Sequence, residues 1–216
     1  MFKNFFHKVK GYCVLQKRKK YIKKLQRRLI NKTFTLITNN CTGGVIYNRL
    51  GLKFLSPTIN LWFKEEDYLK FIYNLKEYVE QGVLSLIEQT EYDYPVGKLS
   101  ASCGEIIIYF MHYKSFEEAK EKWIDRCKRI VWDNIYYIME LKPETTQEQV
   151  DKFNNFPQNN KLIYSLCKDC DSPYLVKVDI NMEYRNGLSL EYQSNKSEKK
   201  WLDEINYVDF INKGLK

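Results

Sequence analysis

Short apolar runs alternate with amphipathic helical stretches along most of this 216-residue chain, and that alternation limits what it can fold into. Phe34 to Ile37 reads as a strand and Gly44 to Arg49 as a short helix behind it. Glu65 to Glu80 reads as a helix, with acids in its first turn to complement the macrodipole and Tyr68, Phe71, Ile72, Leu75, Tyr78 and Val79 on one face. Val83 to Ile87 is a short strand, and the near-continuous apolar run Glu105 to Met111 suits a strand covered on both faces. Ser115 with Glu118 makes a capping box for a helix that closes with Lys128 and Arg129. A strand at Asn134 to Leu141, a helix at Thr145 to Phe153, strands at Leu162 to Leu166 and Tyr174 to Ile180, and a last helix complete the series. Few Gly and Pro and no internal repeat point to one domain. The expected class is α/β, three layers α/β/α around a mostly parallel, mixed sheet.

Charge divides the chain differently. The thirty-two residues before Thr33 hold twelve Lys or Arg and no Asp or Glu, so although the whole chain carries +8 the remainder is acidic. Residues 1–32 form a basic arm and residues 33–216 the α/β domain, with Asn31-Lys32 and Gln193 to Lys200 as linkers. Leu15, Ile22, Leu25, Leu29 and Ile30 recur at helical spacing over residues 14 to 30, behind Phe2, Phe5 and Phe6. A basic amphipathic helix led by aromatic residues suits an anionic membrane surface, entered through residues 1–30. The same pattern also serves a helix that docks its stripe on the body, or a nucleic-acid binder. No stretch reaches the roughly 20 apolar residues of a membrane span, and the Lys-rich start lacks a signal peptide's apolar block. The expected location is cytoplasmic, peripheral on the inner face of the membrane.

Six scattered cysteines in such a chain are expected as free thiols. Cys167-Lys168-Asp169-Cys170 is half of a zinc motif with no second half, so no metal is expected, and no cofactor is indicated. The chemistry candidates lie instead at two strand ends. Asn39-Asn40-Cys41-Thr42-Gly43-Gly44 follows one strand and opens a helix, and His112-Tyr113-Lys114 holds the same position after another. In open α/β sheets ligands bind at the carboxyl ends of strands. If the two strands are neighbours, Cys41 and His112 face one crevice.

Three readings of the first turn stay open. Gly43 and Gly44 could bring free amides to a phosphate, with Asn39, Asn40 and Thr42 beside it. Cys41 could be a nucleophile with His112 as its base. Or the turn is simply tight, and Cys41 a small buried hydrophobe. Tyr113, Arg126 and Arg129 are further candidates for holding a ligand, against the alternative that the arginines of this helix are solvated.

The segments Leu36 to Gly44, Leu55-Ser56-Pro57, Tyr94-Pro95-Val96-Gly97 and Glu105 to Ile130 resemble, in order, a bacterial family of unknown function. Its members are commonly labelled exopolysaccharide or capsule biosynthesis proteins and sometimes acetyltransferases. The resemblance covers residues 34–165 and implies a three-layer α/β fold and a place in making cell-surface glycopolymers; it brings no established catalytic residues. Neither hexapeptide repeats nor a glycine-rich acetyl-CoA loop supports the acetyltransferase label. The combined expectation is a transferase-like protein that takes an activated, phosphate-containing sugar or acyl donor at the Asn39 to Gly44 turn and a glycan acceptor whose hydroxyl meets His112. A Cys-dependent acyl transferase or hydrolase, and a non-catalytic binding module or nucleic-acid binder working through the arm, are the alternatives.

Overall fold

A computed structural model describes the backbone of residues 2–178 and 201–213, and side chains from residue 15 onward within those spans. Four strands, β1 (Thr35–Thr38), β5 (Ile135–Leu141), β6 (Lys161–Ser165) and β7 (Leu175–Lys177), pair in parallel in the order β1-β5-β6-β7. Three more, β2 (Val83–Leu86), β3 (Val96–Ala101) and β4 (Gly104–Tyr109), form a separate antiparallel sheet in the order β2-β3-β4. The helices are α1 (Phe2–Arg28), α2 (Thr42–Leu50), α3 (Glu65–Tyr73), α4 (Leu75–Gln81), α5 (Phe116–Cys127), α6 (Gln147–Asn155) and α7 (Tyr207–Lys213), with a 3₁₀ turn at Trp201–Asp203.

Strand alternation sends successive side chains to opposite faces of the parallel sheet. Ile37, Tyr137, Met139, Leu141 and Ile163 enter one core with α3, α4, α5, α6 and the small sheet. Leu36, Tyr136, Ile138, Leu162 and Tyr164 enter the other with α1, α2, the 3₁₀ turn and α7. The chain is thus an α/β domain with a layer on each side of its parallel sheet. The outer edge of β1 is covered by the segment after α2: Thr35 donates to the Leu55 carbonyl at 2.8 Å and the Thr38 amide to the Thr58 hydroxyl at 3.0 Å. Side-chain partners stand there in place of a further strand.

Three local expectations change. The run Glu105 to Met111 lies not in the parallel sheet but in the β3–β4 hairpin, where Glu105 is exposed and Ile106 and Ile108 are buried. Gly104, at φ +114, makes the tight reversal. The Glu65 to Glu80 run breaks at Asn74 (φ −122), whose side chain donates to the Lys70 carbonyl at 3.0 Å and so competes with the helical ladder. The Ser115 cap is half a box: Ser115 accepts from the Glu118 amide at 3.2 Å, but Glu118 reaches the amide of Lys114 instead. The linker Gln193 to Lys200 and the end of the Tyr174 to Ile180 strand lie outside the described residues, as do the side chains of Phe2, Phe5 and Phe6.

The second half of α1 packs on the body. Leu25 and Leu29 join the second core, Ile22 is half-buried, and Leu15 and Ile30 are exposed. Arg18 pairs with Asp203, Arg28 with Asp209 at 2.6 Å, and Gln26 donates to the Arg49 carbonyl at 2.9 Å. Leu29 supplies the last backbone turn, its amide bonded to Leu25.

Candidate functional site

At the carboxyl end of β1 the chain continues its pairing with side chains. Asn39 donates to the carbonyl of Glu140 at 3.0 Å and accepts from its amide at 2.9 Å, extending the β1–β5 ladder by one step. Asn40 is bonded at both ends: its Oδ1 accepts from the Thr42 amide at 2.9 Å, and its Nδ2 donates to the Glu140 carboxylate and to Tyr164 Oη at 2.9 Å. Thr42 meets the same Tyr164 hydroxyl at 2.7 Å, and Asn40 Nδ2 bridges that hydroxyl to the Glu140 carboxylate. Thr42, Tyr164, Asn40 and Glu140 therefore form one hydrogen-bonded cluster at the start of α2.

Glu140 is the next-to-last residue of β5, and burial raises its carboxyl from 4.5 to about 7. The charge of Glu65 adds to the rise; Lys142 and the donors Asn40 and Tyr164 oppose it. Lys142 is held in place by its surroundings. Its ammonium lies 3.2 Å from Glu65, 3.4 Å from the Phe63 carbonyl and 4.7 Å from the centre of the Trp62 ring. Trp62 stacks on Tyr109 at 3.8 Å, and Tyr92 meets both rings edge-on. A half-buried carboxyl poised near neutrality, with an ammonium and a second carboxylate beside it, can take up or release a proton under physiological conditions.

The residues singled out by sequence divide around this cluster. Cys41 is half-buried, with its thiol on the Leu61 carbonyl at 3.7 Å and on Met111 Sδ at 3.7 Å. The two candidate loops therefore meet through Met111. His112 is exposed and makes no hydrogen bond with Cys41 among the described residues. Burial, with the Glu140 charge, pushes the Cys41 thiol up to about 12, so the expected thiolate is not favoured. Strand adjacency fails as well, since β1 and β4 belong to different sheets.

The expected phosphate ligands turn inward. Gly43 lies against β1, where a Cβ would stand 3.0 Å from Thr38 Oγ1; Gly44 faces Ile59 and Asn60. Both are buried and close a helix-on-strand contact rather than opening amides to a ligand. Tyr113 donates to the Ile59 carbonyl at 2.9 Å, and buried Arg126 donates to that carbonyl at 3.1 Å and to Tyr113. Arg129 pairs with Asp125 and reaches the Phe54 carbonyl at 3.4 Å. These three fasten α5 to the loop after α2.

Sequence reasoning missed Glu140. Its signal was a lone carboxylate near the end of an otherwise apolar strand, where an ionised group carries a high desolvation cost.

A family model described as "Domain of unknown function (DUF1919)" matches residues 13–212. The chain is also similar to an uncharacterized protein of Haemophilus influenzae, 33% identical over 214 residues, spanning 97% of this chain and 98% of that protein.

Proposed function

We propose that this chain, which belongs to the DUF1919 family, is a transferase of bacterial surface-polysaccharide synthesis in which Glu140 is the general base toward an acceptor hydroxyl. The observation that carries the reading is the Glu140 carboxyl: raised to about 7, placed at the carboxyl end of a parallel strand, and hydrogen-bonded by Asn40, which also holds Tyr164. A base of that pKa accepts a proton from a hydroxyl in the transition state and returns it at little cost. The polysaccharide assignment rests on the resemblance of the Leu36 to Gly44 and Glu105 to Ile130 segments. In this reading the donor's phosphates meet Lys142 and Lys64, the exposed residue just before α3, because packing occupies Gly43 and Gly44. The basic helix α1 brings the protein to the cytoplasmic face of the membrane, where residues 2–14 precede the docked half. None of the described helices is long and apolar enough to cross a membrane.

The test is complementation. A strain lacking the protein and supplied with Glu140→Gln should make about 10²-fold less surface polysaccharide than one supplied with the wild type, at equal protein level. Equal yields would remove Glu140 from the chemistry. Acyl transfer through Cys41 is the competing reading, and alkylation separates the two. With its thiol near 12, Cys41 should react with iodoacetamide at neutral pH no faster than Cys103 or Cys167, whichever residue stands at position 112. Fast labelling of Cys41 that depends on His112 would favour acyl transfer.

A further inference from the structure

Where α1, α2, the 3₁₀ turn and α7 meet, two arginines share one aspartate. Arg18 Nη1 pairs with Asp203 Oδ2, and Arg49 Nη1 with Asp203 Oδ1 at 3.2 Å. The Arg49 side chain is 1% exposed and that of Asp203 4%. Tyr21 lies under the Arg18 guanidinium at 5.2 Å, and Tyr207 borders both arginines. Among the described residues the centre thus sets two guanidinium charges against the Asp203 carboxylate.

Its hydrogen bonding is incomplete to match. Arg18 Nη2, Arg49 Nε, Arg49 Nη2 and the Tyr207 hydroxyl are buried and have no hydrogen-bond partner among the described residues. A buried donor on a charged group left without an acceptor keeps its full desolvation penalty, and Arg cannot shed its proton to escape. Such orphans call for a bound species. Next to Tyr207 and Asp203 opens a cleft of about 250 Å³, lined also by Tyr21, Leu25, Arg28 and Asn206; Arg18 and Arg49 stand behind Asp203.

We infer that this junction is a phosphate-group site, independent of the Glu140 site. A phosphate supplies the missing negative charge and several acceptor oxygens in the fork geometry that guanidinium groups match. Water alone would satisfy the donors but leave the surplus charge. The phosphate comes either from a small soluble compound or from the headgroup of a phosphomonoester lipid reached by the basic helix that contributes Arg18.

Thermal unfolding of the full chain in inorganic phosphate and in chloride of equal ionic strength is the first measurement. Phosphate should raise Tm by roughly 5 °C at a hundredfold excess over Kd. Arg18→Gln should abolish the rise, and Tyr207→Phe, which removes one hydroxyl, should weaken phosphate binding about 3-fold or more. If Arg18→Gln does not fold, Tyr207→Phe alone decides. Flotation with phosphatidylcholine vesicles containing phosphatidic acid or phosphatidylserine identifies the source. A preference for phosphatidic acid that is reduced in Tyr207→Phe indicates a lipid headgroup; a phosphate-dependent Tm without that preference indicates a soluble ligand. Equal Tm in phosphate and chloride together with no phosphatidic acid preference, or an undiminished response in both variants, overturns the proposal.

Discussion

At the start of α2, Thr42 joins Tyr164 and, through Asn40, Glu140; one residue before its end, Arg49 joins Asp203. The two ends of one nine-residue helix thus sit in charge clusters of opposite surplus. The first has Glu140 and Glu65 against Lys142; the second has Arg18 and Arg49 against Asp203. The helix dipole favours an anion at the first end and a cation at the second. The clusters differ in how the surplus can be relieved. A carboxylate in a crowded, desolvated place takes up a proton, and Glu140 is raised toward neutrality accordingly. A guanidinium has no such exit, so the surplus at the other end stays and favours an external anion. The same helix therefore presents a proton-exchanging group at one end and a fixed charge at the other.

The largest expected effect tests the fixed charge. Asp203→Asn leaves two buried guanidinium groups facing a neutral amide and should cost about 3–5 kcal/mol, the range for breaking a buried pair. Urea unfolding measures it, and added phosphate should restore part of the loss in the variant. A cost below about 1 kcal/mol would mean that the cluster is solvated like a surface pair, and the contrast with Glu140 would lapse.

Neither cluster was legible in the sequence, although most elements were. Period and caps located α5, α6 and the strands β1, β5 and β6, because a buried face repeats in the residues that make it. What failed needed partners distant in sequence. The β3 strand carries Gly97 and follows Pro95, so its Val96 and Leu99 make no clean alternation until β4 pairs with it. Asn39, Asn40 and Thr42 stand out in the sequence as polar residues at a strand end. Their partners, Glu140 and Tyr164, lie about a hundred residues away. The arm's twelve cations were conspicuous, yet nothing in the stretch itself distinguishes Arg18, which pairs with Asp203 185 positions later.

An intermediate effect tests the proton-exchanging end. With an ordinary pKa of 4.5 unfolded and about 7 folded, Glu140 binds more protons in the folded state between those values. Stability from this group is therefore full below about pH 4.5 and falls as pH rises through 7. Between about pH 5 and pH 8 the wild type should lose on the order of 1–3 kcal/mol that Glu140→Gln does not lose. Glu140→Gln should accordingly be the more stable protein at the alkaline end, while Asp203→Asn stays less stable at both. Parallel pH curves for wild type and Glu140→Gln would mean that the carboxyl titrates normally, and its claim to base chemistry would fall with it.

The smallest effects concern α2 itself, whose seating sets both clusters at once. A Cβ on Gly43 would stand 3.0 Å from Thr38 Oγ1 and 3.2 Å from Thr38 Cγ2. Thr38 is buried, and its hydroxyl already donates to the Asn40 carbonyl at 2.6 Å, so it has little freedom to yield. A Cβ on Gly44 would meet Ile59 at 3.4 Å and Asn60 at 3.5 Å, which is ordinary contact. Gly43→Ala should therefore cost about 1 kcal/mol, the low end of overpacking, since a single methyl is added, whereas Gly44→Ala should fall between no change and a gain of about 1 kcal/mol from helix propensity. If α2 is the rigid link between the clusters, Gly43→Ala should lift its first turn from β1, loosening the Thr42–Tyr164 contact and weakening the Arg49–Asp203 pair together. Activity and phosphate response would then fall in the same variant and persist in Gly44→Ala. Loss of ligand binding in Gly44→Ala with stability unchanged would instead return the glycines to the role of a phosphate cradle.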